Sequence, residues 1–181
     1  MNKASVESKK IIDPKWLSFR STAEFARNKY RNHCGPTAIT NLLITLAQAR
    51  DGRLVESEEA VEIFDRVASF GRRLLVYNIR FGTTDLLLGL FARLVFFRLS
   101  KGSIRVGFRH FLNKKSLNRT IGRGNFALLE LFGHPLYGWH QMLIYGMDES
   151  GDYIACDGIA DHPVHIPPAD IGRGLFLEIK T

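Results

Sequence analysis

The sequence predicts an α+β protein, with a helical first half and an antiparallel strand half behind it. Apolar residues recur at helical spacing up to about residue 99 and then switch to the alternation of half-buried strands. The strand-like segments are short and separated by turn-forming residues rather than by long helices, which favours antiparallel pairing. No internal repeat or low-complexity tract competes with that reading.

The elements follow in order. A short helix is expected near Ser21 to Arg27, after an N-terminal extension over residues 1–20. Pro36 to Arg50 reads as a helix, because proline suits a first turn and Ile39, Leu42, Leu43 and Leu46 share a face. Asp51-Gly52 closes it. A second helix runs from Ser57, its expected N-cap, through an acidic first turn at Glu58 and Glu59 to Phe70, with Gly71 as its stop. A third, strongly apolar helix opens at Thr83–Asp85 and reaches Leu99. Strands are expected at Ile104–Phe111, Asn125–Phe132, Gln141–Tyr145, Tyr153–Cys156 and Gly174–Ile179. Residues 147–152 have the composition of a tight turn between two of them.

Composition bounds the class. At 181 residues the chain buries about 70% of its unfolded surface, so residues 21–181 form a single domain with a core that needs no metal or disulfide. The two cysteines, Cys34 and Cys156, are read as free thiols, which points to a reducing, cytoplasmic location. The first thirty residues hold no apolar run suited to a signal peptide, and Leu86–Leu99 is too short and interrupted by Arg93 to span a membrane. The net charge is +7, with Arg27, Lys29 and Arg31 ahead of Cys34. Arg105, Arg109, Lys114, Lys115, Arg119 and Arg123 form a later basic stretch. Without an accompanying aromatic recognition signature, this charge reads as solvated surface, and no nucleic-acid partner is expected.

Two segments carry chemistry. Cys34 lies in NHCGPTAIT, at the mouth of the first long helix, where the dipole and the unpaired N–H groups favour thiolate over thiol. Gly35 allows close approach to the sulfur. A thiol nucleophile needs a base, and His140 in GWHQMLIYG begins a strand whose alternation places His140, Met142 and Ile144 on one face. The following strand ends in ACDG, so a hairpin sets Asp157 beside His140 as its orienting acceptor. Cys156 then points the other way, into the core. His134, before a proline in a loop, is the rival base. His33 and Trp139 are candidates for the substrate cleft. His162 and His165 lack companions for a metal site, and no cofactor is expected.

The order Cys, His, Asp, with CGPTA opening a helix, resembles papain-like cysteine peptidases, and most closely the branch that processes bacteriocin leaders. The resemblance spans Ala26 to about Gly158 and is specific around Cys34 and around His140–Asp157. It implies a papain-like catalytic domain, with a helical lobe carrying the nucleophile and a sheet carrying His and Asp. It also implies peptide hydrolysis by a Cys34 thiolate and His140 imidazolium acting on a peptide or protein substrate. Family members place a glutamine shortly before the cysteine as oxyanion donor; here Asn28, or alternatively Asn32, is the available amide. Acyl transfer to an amine would use the same triad, and a catalytically weak peptide-binding module would keep the fold.

Overall fold

The structure, a computed structural model, describes residues 12–25, 30–83, 85–99, 107–111, 114–171 and 174–180. Its helices are α1 (Thr22–Phe25), α2 (Cys34–Asp51), α3 (Ser57–Arg73), α4 (Asp85–Leu99) and α5 (Lys114–Gly122). A small hairpin, β1 (Tyr77–Asn78) and β2 (Gly82–Thr83), separates α3 from α4. The main sheet holds β3 (Gly107–Phe111), β4 (Phe126–His134), β5 (Gly138–Met147), β6 (Tyr153–Cys156), β7 (Val164–Ile166) and β8 (Gly174–Lys180). Every pairing in it is antiparallel, in the order β3-β8-β4-β5-β6-β7. The chain is thus α+β, as its periodicity predicts.

Strand alternation gives the sheet two apolar faces. Phe126, Leu128, Leu143, Tyr145 and Cys156 join the core built by α2, α3 and α4. Ala127, Leu129, Leu131, Met142 and Ile144 face the other way, against Leu117 and Ile121 of α5. A strand covered on both sides must be apolar at nearly every position, which is why β4 reads FALLEL, with Glu130 the one polar residue in that run. α2 departs from the single apolar face expected of it. From Gly35 to Leu46 it is buried all round, so its Thr37, Thr40, Asn41 and Thr45 lie inside the molecule. Buried polar groups of this kind must find partners, and the chain before α1 supplies several.

Residues 12–20, the described part of the expected extension, pack on the core through Ile12, Leu17 and Phe19. Asn41 Oδ1 accepts from Ser18 Oγ and from the Arg20 main-chain N–H, both at 2.7 Å. Gln48 Nε2 donates to the Trp16 carbonyl at 2.8 Å, and Tyr145 Oη donates to that of Ser18 at 2.5 Å. These bonds strap the segment along α2. The expected N-cap of α3 is corrected as well: Glu56 holds that position without a side-chain bond, and Ser57 Oγ accepts from Arg20 Nη1 at 2.7 Å.

Candidate active site

The site lies where the first turn of α2 meets the β5–β6 end of the sheet. Cys34 begins α2 and is partly exposed, whereas Cys156 is buried; both are free. The main-chain N–H groups of Gln141 and Gly35 near the Cys34 sulfur favour its thiolate. Gln141 directly follows His140 and its Oε1 lies over Gly35, so the strand of His140 meets the mouth of α2 here. A second contact closes the same corner. Gly158, at φ +69°, brings its backbone so near α2 that a Cβ there would lie 3.1 Å from Thr37 Cγ2. Only glycine adopts that conformation without strain.

His140 is 9% exposed and lies flat against Tyr137, with ring centroids 5.4 Å apart and planes 15° from parallel. Its Nε2 is 2.5 Å from the main-chain oxygen of Asp157. A carbonyl can only accept, so Nε2 carries the proton and Nδ1 of the neutral ring is left as the base. Asp157 therefore orients His140, but through its backbone rather than its carboxylate, which corrects the triad expected from sequence. The carboxylate has other duties. Oδ1 accepts from the N–H groups of Ile159 and Ala160 at 2.8 and 2.9 Å, and Oδ2 from Tyr137 Oη at 3.2 Å. Burial and that adjacent carboxylate push the Tyr137 phenol up to about 12.

Burial shifts both groups towards their neutral forms. It raises the Cys34 thiol above its ordinary value despite the N–H groups aimed at the sulfur, and the charge of Glu130 adds to the rise. It lowers His140 below 6.5, although the carbonyl and charge of Asp157 oppose that shift. Both directions favour neutral thiol and neutral imidazole over the expected ion pair. Among the described residues no hydrogen bond joins Cys34 to His140.

The remaining candidates separate. Asn28 lies outside the described residues. Asn32, at φ +50°, spends its Nδ2 on the carbonyls of Ile79 and Arg80 at 3.2 and 2.7 Å, so it anchors the β1–β2 turn instead of reaching an oxyanion. His33 is buried rather than in a cleft; its Nδ1 lies 3.1 Å from Thr37 Oγ1 and its ring meets Phe64 edge-on. Gly35 is buried under the Gln141 side chain. Trp139 is 70% exposed and rims the site, its Nε1 donating to Glu130 Oε1 at 2.5 Å. His134 turns its Nδ1 to the N–H groups of Leu136 and Tyr137 at 3.2 and 3.4 Å, which removes it as a base. His162 and His165 pair with Asp161 and Asp148. Among the described residues no group of three or more His, Cys, Asp or Glu side chains is placed to hold a metal ion. Lys114, Lys115, Arg119 and Arg123 are exposed on or just after α5, while Arg27, Lys29 and Arg105 lie outside the described residues.

Sequence reading missed Gln141, Tyr137, Thr83 and Glu130. Glu130 pairs with Gln141 across β4 and β5, on the sheet face that α2 covers. A polar pair within otherwise apolar strands was the available signal. A cleft of about 500 Å³, lined by Leu43, Ala47, Arg50, Val55 and Ile63, lies towards the other end of α2. At 1.5 Å per residue that is about 20 Å from Cys34, too far to serve its chemistry. No helix among the described residues is long and apolar enough to cross a membrane. Compared with known protein families and with curated proteins, the chain matches no family model and no curated relative.

Proposed function

We propose that the chain is a papain-like cysteine peptidase in which Cys34 attacks a peptide carbonyl and His140 is the base. The observation that carries this reading is Gly35 packed directly under the Gln141 side chain, which sets the strand of His140 against the mouth of α2. Because burial favours the neutral form of both groups, the proton leaves Cys34 for His140 Nδ1 as the sulfur attacks, rather than in advance. The resulting imidazolium keeps its Nε2–H on the Asp157 carbonyl and then protonates the leaving amine. Main-chain N–H groups at the start of α2 face the oxyanion, a role that Asn32 cannot fill from its position. Water then releases the acyl group from Cys34.

The test is hydrolysis of a peptide library, read by mass spectrometry. Cleavage by the wild type and its loss, by about 10³-fold or more, in Cys34→Ala and His140→Ala is the expected result. Cleavage that survives Cys34→Ala would overturn the reading. A second reading, a peptide-binding module on the same fold, is favoured by the lack of a Cys34–His140 hydrogen bond. It predicts peptide capture without cleavage, and Cys34 alkylation unaffected by His140→Ala.

A further inference from the structure

We infer that Gln141 is a positioning residue for Cys34, clamping the nucleophile helix, the base strand and the β1–β2 hairpin at one point. Three groups of this residue act on three elements. Its main-chain N–H lies near the Cys34 sulfur and favours the thiolate. Its side-chain Nε2 donates to the Thr83 carbonyl at 2.9 Å, tying β5 to β2. Its Oε1 sits over Gly35, where an added Cβ would lie 2.3 Å from that oxygen and 3.0 Å from Thr83 Oγ1. The side chain is 2% exposed, and Oε1 and Thr83 Oγ1 are both buried without a hydrogen-bond partner among the described residues.

A buried amide with an unmatched oxygen is costly, so packing alone gives a poor reason for glutamine here. An apolar side chain of similar length would fill the same space. What glutamine adds is the bond to Thr83, which fixes the sideways position of β5 and therefore the aim of the Gln141 N–H at the sulfur. Gly35 belongs to the same device. Its missing Cβ is the space that the amide occupies, so position 35 acts on Cys34 through Gln141.

The experiment is the pH profile of Cys34 alkylation by iodoacetamide, read by mass spectrometry for wild type, Gln141→Leu, Gln141→Ala, Gly35→Ala and Gly35→Ala/Gln141→Ala. Cys156, buried and pushed up to about 12, remains unlabelled in every folded variant and reports folding in the same spectrum. Loss of that aim moves the Gln141→Leu profile up by about one pH unit, about tenfold in thiolate at a fixed pH. Gly35→Ala produces a similar shift, and the double variant shifts no further than Gln141→Ala alone. An unchanged profile in Gln141→Leu with Cys156 protected, or additive shifts in the double variant, would overturn the inference. Should Gln141→Leu expose Cys156, the Gly35→Ala profile decides by the same criterion. The inference rests on Cys34 being the reactive thiol of the proposed peptidase. Alkylation needs no substrate, however, so a chain that labels as described yet cleaves no peptide would sink the peptidase reading alone.

Discussion

At the scale of single residues, Asp157 offers the sharpest discrimination. Its carbonyl orients His140, and its carboxylate caps two N–H groups and receives the Tyr137 hydroxyl. Asparagine keeps the carbonyl and an amide oxygen for the caps, and its NH₂ can donate to the Tyr137 oxygen. On the proposed peptidase reading, Asp157→Asn should retain kcat/KM within about threefold, whereas Asp157→Ala, which frees the loop, should lose about tenfold or more. A carboxylate-oriented triad would predict a severe loss in Asp157→Asn, so steady-state kinetics on the two variants separate the cases. His140 carries a pH prediction. Its pKa is lowered by burial, so the neutral base persists below pH 6.5 and the acidic limb of kcat/KM lies below that value. The same shift has a stability counterpart: the unfolded chain takes up the proton first, so stability falls as pH drops through about 6.5. The three residues that carry the proposed chemistry were legible because each sits at an element boundary marked by Gly or Pro. Asp157 acting through its backbone was not legible, since a carbonyl has no residue identity.

At the scale of elements, the hairpin β5–β6 turns on Asp148. Its Oδ1 accepts from Ser150 Oγ and from the N–H groups of Ser150 and Asp152, and its Oδ2 meets His165 Nδ1 on β7 at 2.6 Å. The Ser150 hydroxyl and then His165 hold the carboxyl at about 2. A depressed carboxylate contributes stability above its unfolded value of 3.8, and that contribution is lost as pH falls towards 2. Carboxyl-carbon NMR titration should place Asp148 near 2, and near its ordinary value in a Ser150→Ala/His165→Ala variant. A wild-type midpoint at the ordinary value would show that the turn is not held this way. The sequence revealed the long elements and concealed the small ones. α2, α3, α4 and β4–β6 announce themselves by apolar spacing, caps or unbroken apolar runs; β7, three residues long around His165, is too short to show any of these. α5 was hidden by its own charge, because only Leu117, Thr120 and Ile121 of its nine residues are buried. Gly71 read as a helix stop, yet α3 continues to Arg73. The glycine is there because the Phe91 ring of α4 lies 2.6 Å from where its Cβ would be, a tertiary reason invisible in a local pattern.

At the scale of the whole molecule, α2 is the axis on which both halves are assembled, and polar bonds along it join segments distant in sequence. Asn41 is the densest of these joints. Its Oδ1 takes the Ser18 hydroxyl and the Arg20 N–H, and its Nδ2 donates to the carbonyls of Arg20 and Thr37 at 2.9 and 3.1 Å. Asn41 is fully buried, so truncating it strands Arg20 main-chain groups where water reaches them poorly. Asn41→Ala should cost about 3 kcal/mol, seen as a Tm lower by about 10 °C in a chain of this length. The pairing of Arg53 with Glu59 offers the opposite case. It has two bonds of 2.8 Å and looks stronger on geometry alone, but its side chains are 57% and 39% exposed. Water and side-chain entropy offset most of that attraction, so Arg53→Ala should cost no more than about 1 kcal/mol. Urea denaturation of the two variants compares them directly. Equal losses would mean that residues 12–20 detach before the rest unfolds and contribute nothing to the cooperative transition. A threefold difference would make that segment part of the fold, held to α2 by the same helix that presents Cys34 at its other end.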